Sequence, residues 1–349
     1  IYKGNIGENI PLAVNGYFYP NKKDNNYDID IDINNFKLNA ISDYLSGIAS
    51  NFRGKASGKF RLEGKTSTPE LKGYLNLYHV GIHIDYIGTD YSLMGKIFAT
   101  PTSFSFDSLI VYDNNIINQF KGSKAECSGV VTHNNFNDFQ FDINIKPEKF
   151  TVLNTNSSQN ELFYGQAFAS GNMNIKGTPD NILMDIYAKT ERGTRIILPF
   201  SGSSEISEND FIYFIKRDSS ENQITEKLFE NESGIELKIN LEATPEAEVK
   251  IEFDPKIGDV ITARGNGNLL MNVTTSGDFS MFGEYTISEG DYLFTFENVI
   301  NKHFKIAKGG IISWNGDPFE ANTSLRAIYD KPRAPLYDLV MHIDSSSKY

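Results

Sequence analysis

The fold is decided by residues 259–329, which read DVITARGNGNLLMNVTTSGDFSMFGEYTISEGDYLFTFENVINKHFKIAKGGIISWNGDPFEANTSLRAIY. Apolar and polar residues alternate through most of this stretch, so that Leu269, Met271 and Val273 share one face of a predicted strand. Turn-forming pairs such as Asn315-Gly316 separate the alternating segments. The pattern predicts an antiparallel meander with no residue that looks catalytic.

The composition also fits a strand-rich protein. The 349 residues include 25 Phe and 18 Tyr against one Trp and one Cys, and Phe and Tyr favour strands. A formal net charge of −12 argues against nucleic acid as a partner, because its phosphates would be repelled. No run of about 18 apolar residues is present. Because the chain begins inside a strand-like pattern, we expect it to be part of a longer protein.

The alternation recurs upstream of residue 259. The segment YDIDIDI at 27–33 places its apolar side chains on one face and three Asp on the other, which specifies the register of the strand. We expect the segments at 235–241 and 249–253 to pair in a hairpin across Thr244-Pro245. The predicted apolar strand faces are formed by Tyr27, Ile29, Ile31, Ile33, Phe139, Phe141, Ile143, Ile145, Ile235, Leu237, Ile239, Leu241, Val249, Ile251 and Phe253.

Three other segments carry local predictions. Between residues 39 and 52, apolar residues recur every three or four positions, which predicts an amphipathic helix that ends before Gly54. Residues 201–231 are polar and charged and predict a strand followed by a loop or short helix. In the strand after Gly73, alternation predicts a common face for Tyr78, Val80, Ile82, Ile84 and Tyr86.

Glycine spacing indicates weak internal repeats. The pairs Gly58 and Gly64, Gly171 and Gly177, and Gly277 and Gly283 are each six residues apart, and Pro follows the first two pairs. We interpret residues 1–349 as a single elongated body with repeats at about 36–150, 151–258 and 259–349, the last being a C-terminal domain.

No group of residues points to catalysis, so we do not expect an enzyme. In a strand, His79 and His83 would lie about 13 Å apart, too far to bind one metal ion. The three Asp of 27–33 could bind a cation, but the polar face of an alternating strand is usually hydrated, and we predict no metal or cofactor. Cys127 has no His near it in sequence and is expected to be a small buried residue.

One helix cannot cover the twenty-odd strands that the alternation predicts, so the apolar faces must cover one another. We therefore expect an all-β fold: a long antiparallel or mixed sheet, folded lengthwise into a taco-like groove with a hydrophobic interior and few short helices. With strands about 4.8 Å apart, such a groove would be on the order of 100 Å long. Acyl chains are its natural occupants. A closed sandwich is the simplest alternative.

The order of motifs in the last third of the chain resembles that of the C-terminal domain of the TamB family. The matching residues are Gly265, Gly267, Gly277, Gly283, Gly290-Asp291-Tyr292, Phe304, Gly310, Ile312, the WNGDP segment at 314–318 and Ala327. The upstream segments GKASGKFRLEGKTSTPELKG and FYGQAFASGNMNIKGTP look like preceding repeats of the same family. TamB is the inner-membrane-anchored subunit of the translocation and assembly module, related to AsmA-like bridge-type lipid transport proteins.

The resemblance implies a β-groove in the periplasm of a diderm bacterium, anchored in the inner membrane by an N-terminal segment outside these residues. It implies an outer-membrane barrel of the Omp85 type, similar to TamA, as partner, and conduction of phospholipid, support of outer-membrane protein assembly, or both. The apolar faces above would line the groove and contact phospholipid acyl chains. The alternatives are a scaffold or chaperone that offers strand edges without conducting lipid, and a structural adhesin or carbohydrate-active β protein.

Overall fold

The computed structural model describes residues 11–38, 49–84, 87–113, 123–159, 163–199, 234–254, 258–274, 278–296, 300–318 and 320–329. The regular structure in these ranges consists of twenty β-strands. The first ten are β1 (Leu12–Phe18), β2 (Tyr27–Lys37), β3 (Ala49–Lys65), β4 (Thr68–Ile84), β5 (Thr89–Thr100), β6 (Ser103–Asp113), β7 (Lys124–Asn134), β8 (Asn137–Glu148), β9 (Phe150–Thr155) and β10 (Tyr164–Thr178). The others are β11 (Asn181–Thr190), β12 (Arg195–Pro199), β13 (Gly234–Ala243), β14 (Glu248–Asp254), β15 (Asp259–Thr274), β16 (Phe279–Phe296), β17 (Ile300–Ile306), β18 (Ile311–Gly316), β19 (Asn322–Ser324) and β20 (Ala327–Tyr329). The prediction of an all-β fold is confirmed.

All twenty strands belong to one mixed sheet. Strands β1 to β8 pair antiparallel in chain order, whereas β11 with β13 and β12 with β14 are parallel. In each of the pairs β8–β9, β11–β12, β13–β14 and β17–β18, both strands lie end to end along one common neighbour. Strands β20 and β19 likewise lie along β17 and β18, which themselves share one position. The twenty described strands therefore fill fifteen positions, which at about 4.8 Å each span about 70 Å across the sheet, compared with the predicted 100 Å.

One face of the sheet, which we call the inner face, is apolar from strand to strand. One row of directly paired residues crosses eight strands and is apolar throughout: Leu109, Cys127, Ile145, Met173, Ile186, Ile239, Met271 and Met281. A second row, nearer the ends of the strands, runs through Ile31, Phe60, Gly73, Ala99, Phe104, Val131, Phe141, Gly177, Ile182 and Ile235. Because paired residues project to the same side, the inner face is continuous across the sheet.

A line of irregularities, which we call the crease, crosses the sheet between β2 and β18. A bulge or break bends its strand, so a row of them on neighbouring strands folds the sheet along that line. Register shifts fall at Ile33/Phe36, Arg53/Lys55, Leu77/Val80, Met94/Phe98, Phe106/Leu109, Ala167/Phe168 and Arg264/Gly265. The breaks between collinear strands, at 149, 191–194, 244–247 and 307–310, continue the same line.

Hydroxyl groups bond the backbone N–H groups that the crease frees from the ladder. A buried N–H without a partner is costly, and a Ser or Thr on the neighbouring strand can supply the acceptor. Four such bonds follow the crease: Asn35 N to Ser57 Oγ (2.9 Å), Lys149 N to Ser170 Oγ (2.8 Å), Phe168 N to Thr194 Oγ1 (3.0 Å) and Thr244 N to Thr190 Oγ1 (2.8 Å).

The crease overturns two of the local predictions. Thr244-Pro245 is not a hairpin turn, because β13 and β14 lie end to end and both pair with β15. Tyr78 does not share the face of Val80, because the bulge between Leu77 and Val80 inverts the alternation and leaves Tyr78 exposed on the other side. In the sequence, the break at Thr244-Pro245 looks like a turn between two strands. The bulge after Leu77 looks like an uninterrupted strand.

The predicted helix also fails where it can be checked. Its last residues, 49–52, belong to β3, which begins at Ala49, because pairing with β4 outweighs the helical spacing of a short segment. Residues 39–48 and 201–231 lie outside the described ranges, as does Tyr86.

Candidate functional site

The predicted lining residues other than Phe253 lie on the inner face in three separate groups. Ile31 pairs with Phe60, Ile145 with Met173, and Ile239 lies between Ile186 and Met271. Val249 and Ile251 continue this face on β14, opposite Ala263 and Ile261. Phe253 lies in β14 at a register shift. The assignment of these residues to a lipid-lining role stays a prediction.

The inner face is most deeply buried next to the crease. Ile287 and Ala125 are both 0% exposed. A core cluster around Ile287 contains Ala243, Ile261, Ala263, Tyr285, Ile306 and Ile312. A second cluster contains Leu38, Ala56, Leu77, Val80, Phe106, Leu109 and Cys127. The two arms of the folded sheet therefore meet at the crease, where small residues such as alanine let the strands approach.

Two glycines of the family motif lie against the backbone of the paired strand and under one aromatic ring at the crease. A Cβ atom on Gly265 would lie 2.9 Å from Tyr285 Cζ, and one on Gly267 would lie 3.2 Å from Tyr285 Cδ2. The ring therefore rests on both glycines, and Gly265 lies at the register shift between β15 and β16. Burial raises the pKa of Tyr285 to about 12, so this phenol stays neutral.

Away from the crease the inner face is only half-buried. Ile31, Ile182 and Leu237 are intermediate in exposure, although the inner residues of a closed sandwich would be fully covered by the facing sheet. No second layer of described residues covers this part of the inner face. The arms of the sheet thus offer apolar surface that a long, apolar ligand could cover.

The opposite, outer face carries a set of ion pairs. Arg61 bonds Asp28 and Asp30, the latter at 2.8 Å, and Lys59 lies 3.6 Å from Asp32. The three Asp that alternate in β2 are thus paired with cations of β3, and they form an ion-pair ladder instead of a cation site.

An open cleft of about 630 Å³ lies at the crease, with its charged side chains on the outer face. Glu248 accepts hydrogen bonds from Arg195 (2.7 Å) and Arg264 (2.8 Å). Burial by itself would raise the pKa of Glu248, but the two guanidinium groups outweigh it and lower the pKa. Arg195 and Arg264 are therefore satisfied within the protein.

The remaining sequence candidates stay apart. His79 adopts a positive φ of 47° at the bulge in β4, and His83 lies 3.5 Å from Asp90. No three metal-ligating side chains come together among the described residues. Cys127 is buried on the inner face, and burial raises the pKa of its thiol to about 11. In the described ranges, no helix has both the length and the apolar composition to cross a membrane.

The sequence interpretation missed the hydroxyl groups of the crease. Thr194 is 2% exposed, and its Oγ1 accepts from Phe168 N and donates to Phe168 O, both at 3.0 Å. A Thr four residues after Thr190, in a segment that also contains Gly193, was a usable sign of a strand that breaks and continues.

Comparison with known proteins bears on the family. Residues 114–347, which are 234 of the 349 residues, match the TamB C-terminal domain family. No curated protein matches the chain. No solved structure matches it either. Because the family match covers more than half of the sequence, the chain belongs to the TamB family, which acts in protein or lipid transport in the bacterial cell envelope.

Proposed function

We propose that the folded inner face is a groove that holds phospholipid acyl chains and conducts lipid between the two membranes of the envelope. The observation that carries the proposal is the half-buried apolar surface on both arms of a continuous sheet, with the ion-paired side chains of β2 and β3 on the other face. The groove does no covalent chemistry, and the protein is not an enzyme. Its substrate would be recognised by apolar area alone.

The family membership extends the proposal to partners. We place the chain in the periplasm, linked to the inner membrane through a segment outside these residues and docked to an Omp85-type, TamA-like barrel in the outer membrane. The same groove could then support the assembly of outer-membrane proteins as well as lipid supply.

Lipid carried by the purified chain gives the first test. Mass spectrometry of native protein should detect co-purified phospholipid, and delipidated protein should take up phospholipid from vesicles. Protein that repeatedly purifies without lipid and takes none up would overturn the proposal.

A charge in the middle of the inner face gives the sharper test. Ile239→Asp places an unpaired carboxylate between Ile186 and Met271, where burial against an acyl chain costs several kcal/mol. We expect phospholipid uptake to fall about tenfold or more. Asn240→Asp is the matched control, because Asn240 is the next residue, exposed on the outer face. Equal uptake by both variants would contradict an acyl-chain role for this face.

The runner-up is a scaffold that binds unfolded outer-membrane proteins through strand edges. It is favoured by β1, whose Leu12, Val14 and Phe18 are exposed and which pairs with β2 and no other described strand. Pro at Val14 would disfavour a further strand at this edge. If the protein is a scaffold, Val14→Pro should weaken capture of a strand-forming peptide and leave lipid uptake unchanged. If it is a groove, Ile239→Asp should weaken lipid uptake and leave peptide capture unchanged.

A further inference from the structure

The sheet curls sharply between β5 and β9. The strands β6 and β7 lie between them, so three inter-strand spacings would place β5 and β9 about 14 Å apart in a flat sheet. Their Cα atoms nevertheless approach within 8 Å. The space inside the curl is filled by Tyr91 and Phe150, whose rings stack with centroids 5.0 Å apart. These side chains are 9% and 6% exposed. The inner face is therefore pinched here, whereas it is half-open on β2 and β13.

Side chains, and not a backbone ladder, hold the pinch closed. The Tyr91 hydroxyl donates to the Thr151 carbonyl at 2.9 Å. The Asp113 carboxylate accepts from the Thr151 backbone N–H at 2.9 Å and from the Thr151 hydroxyl at 2.7 Å, and it also accepts from Ser123. Tyr91 and Asp113 are paired residues of β5 and β6. Two neighbouring strands thus hold a single residue of β9.

Next to these bonds, a buried hydroxyl lacks a hydrogen-bond partner in the described ranges. Thr155, at the end of β9, is 8% exposed, and its hydroxyl has no hydrogen-bond partner among the described residues. An unpaired buried hydroxyl destabilises the closed state, and opening would return it to water. Separation here also breaks no backbone ladder, unlike separation of any hydrogen-bonded strand pair. Opening at this place therefore requires only side-chain contacts to separate.

We propose that Tyr91, Asp113 and Thr151 form a latch that gates the groove. Closed, the latch pinches the inner face between β5 and β9; open, it lets an acyl chain pass the Tyr91–Phe150 pair. The identity of the cargo rests on the proposed function, but the opening itself does not.

Cys127 is a natural reporter of opening. It is the single thiol of the chain and is 8% exposed. Its cluster and the Tyr91–Phe150 cluster share the neighbours Val111 and Ile145. A maleimide should therefore modify the closed protein slowly and the opened protein faster.

Latch variants should speed this modification. We expect Asp113→Ala, which removes charge-assisted bonds, to raise the rate about tenfold or more, and Tyr91→Phe, which keeps the ring, about threefold or more. Tyr112→Phe is the matched control, because Tyr112 neighbours Asp113 but is exposed on the outer face. The modification rates should not change with low concentrations of denaturant. Local opening is insensitive to denaturant, whereas global unfolding is not. Rates that match the wild type in both latch variants would overturn the latch.

A reversible cross-link then tests gating of lipid. Asp113 Oδ2 and Thr151 Oγ1 are 2.7 Å apart, and we therefore choose these two positions for a cysteine pair, whose disulfide needs Cβ atoms about 4 Å apart. In an Asp113→Cys, Thr151→Cys, Cys127→Ser chain, a photoreactive phospholipid in vesicles should label β2–β3 and β13–β15 alike when the disulfide is reduced. When it is oxidised, labelling on one side of the latch should fall about fivefold or more.

Equal labelling in both redox states would overturn the gate and leave the proposed groove standing. No labelling in either state would overturn the proposed function, and the modification rates of Cys127 would still decide whether the latch opens.

Discussion

At the scale of single residues, Ile287 shows where the stability of this sheet resides. Its side chain is 0% exposed, its N–H donates to the Gly310 carbonyl at 2.7 Å, and its carbonyl accepts from Gly309 N at 2.8 Å. Ile287 thus joins packing to hydrogen bonds at the point where β16 crosses the crease. A half-buried residue on an arm of the sheet contributes less to stability, because it buries less apolar area.

Truncation of Ile287 should therefore be costly. We expect Ile287→Ala to lower the free energy of unfolding by about 2–5 kcal/mol, because a fully packed site leaves a cavity. Leu270→Ala truncates an aliphatic side chain that is 44% exposed on the outer face. Its free energy of unfolding should stay within about 0.5 kcal/mol of wild type. Urea unfolding curves provide the comparison. Similar midpoints for the two variants would show that the crease is not the core.

At the scale of strands, alternation in the sequence correctly predicts which residues share a face of a strand. It does not predict where a strand is interrupted. Ile235, Leu237, Ile239 and Leu241 keep one parity along β13 because no bulge interrupts it. The hairpin predicted for the next segment is wrong, because Thr244-Pro245 has the same composition whether the chain reverses or merely bends. Only pairing with β15, a partner about twenty residues further on, distinguishes the two. Long-range pairing is not encoded in local pattern.

The bend has its own requirement, a hydroxyl acceptor for each freed N–H. Thr194→Val keeps the shape of a side chain that is 2% exposed but leaves Phe168 N without its 3.0 Å partner. We expect a loss of about 1–3 kcal/mol in the free energy of unfolding, and recovery of most of it in Thr194→Ser, which restores the acceptor. If valine is tolerated as well as serine, the hydroxyl does not stabilise the crease.

At the scale of the whole molecule, the order of motifs predicts the family, which the match over 114–347 confirms, but the width of the sheet could not be counted from the sequence. In the sequence each break resembles the end of a strand position, although five pairs of strands share a position. The crease converts what would be a wider sheet of short strands into a narrower one of long, bent strands.

Solution scattering distinguishes this architecture from a closed globule. A compact chain of 349 residues has a radius of gyration of about 20 Å. Fifteen strand positions extend over about 70 Å, and this length alone contributes about 20 Å to the radius, before the arms of the fold are added. We therefore expect a radius of gyration above about 23 Å and a distance distribution with a long tail at low protein concentration. A symmetric distribution with a radius near 20 Å would mean that the arms close on each other, and a closed interior would leave no open surface for an acyl chain to enter.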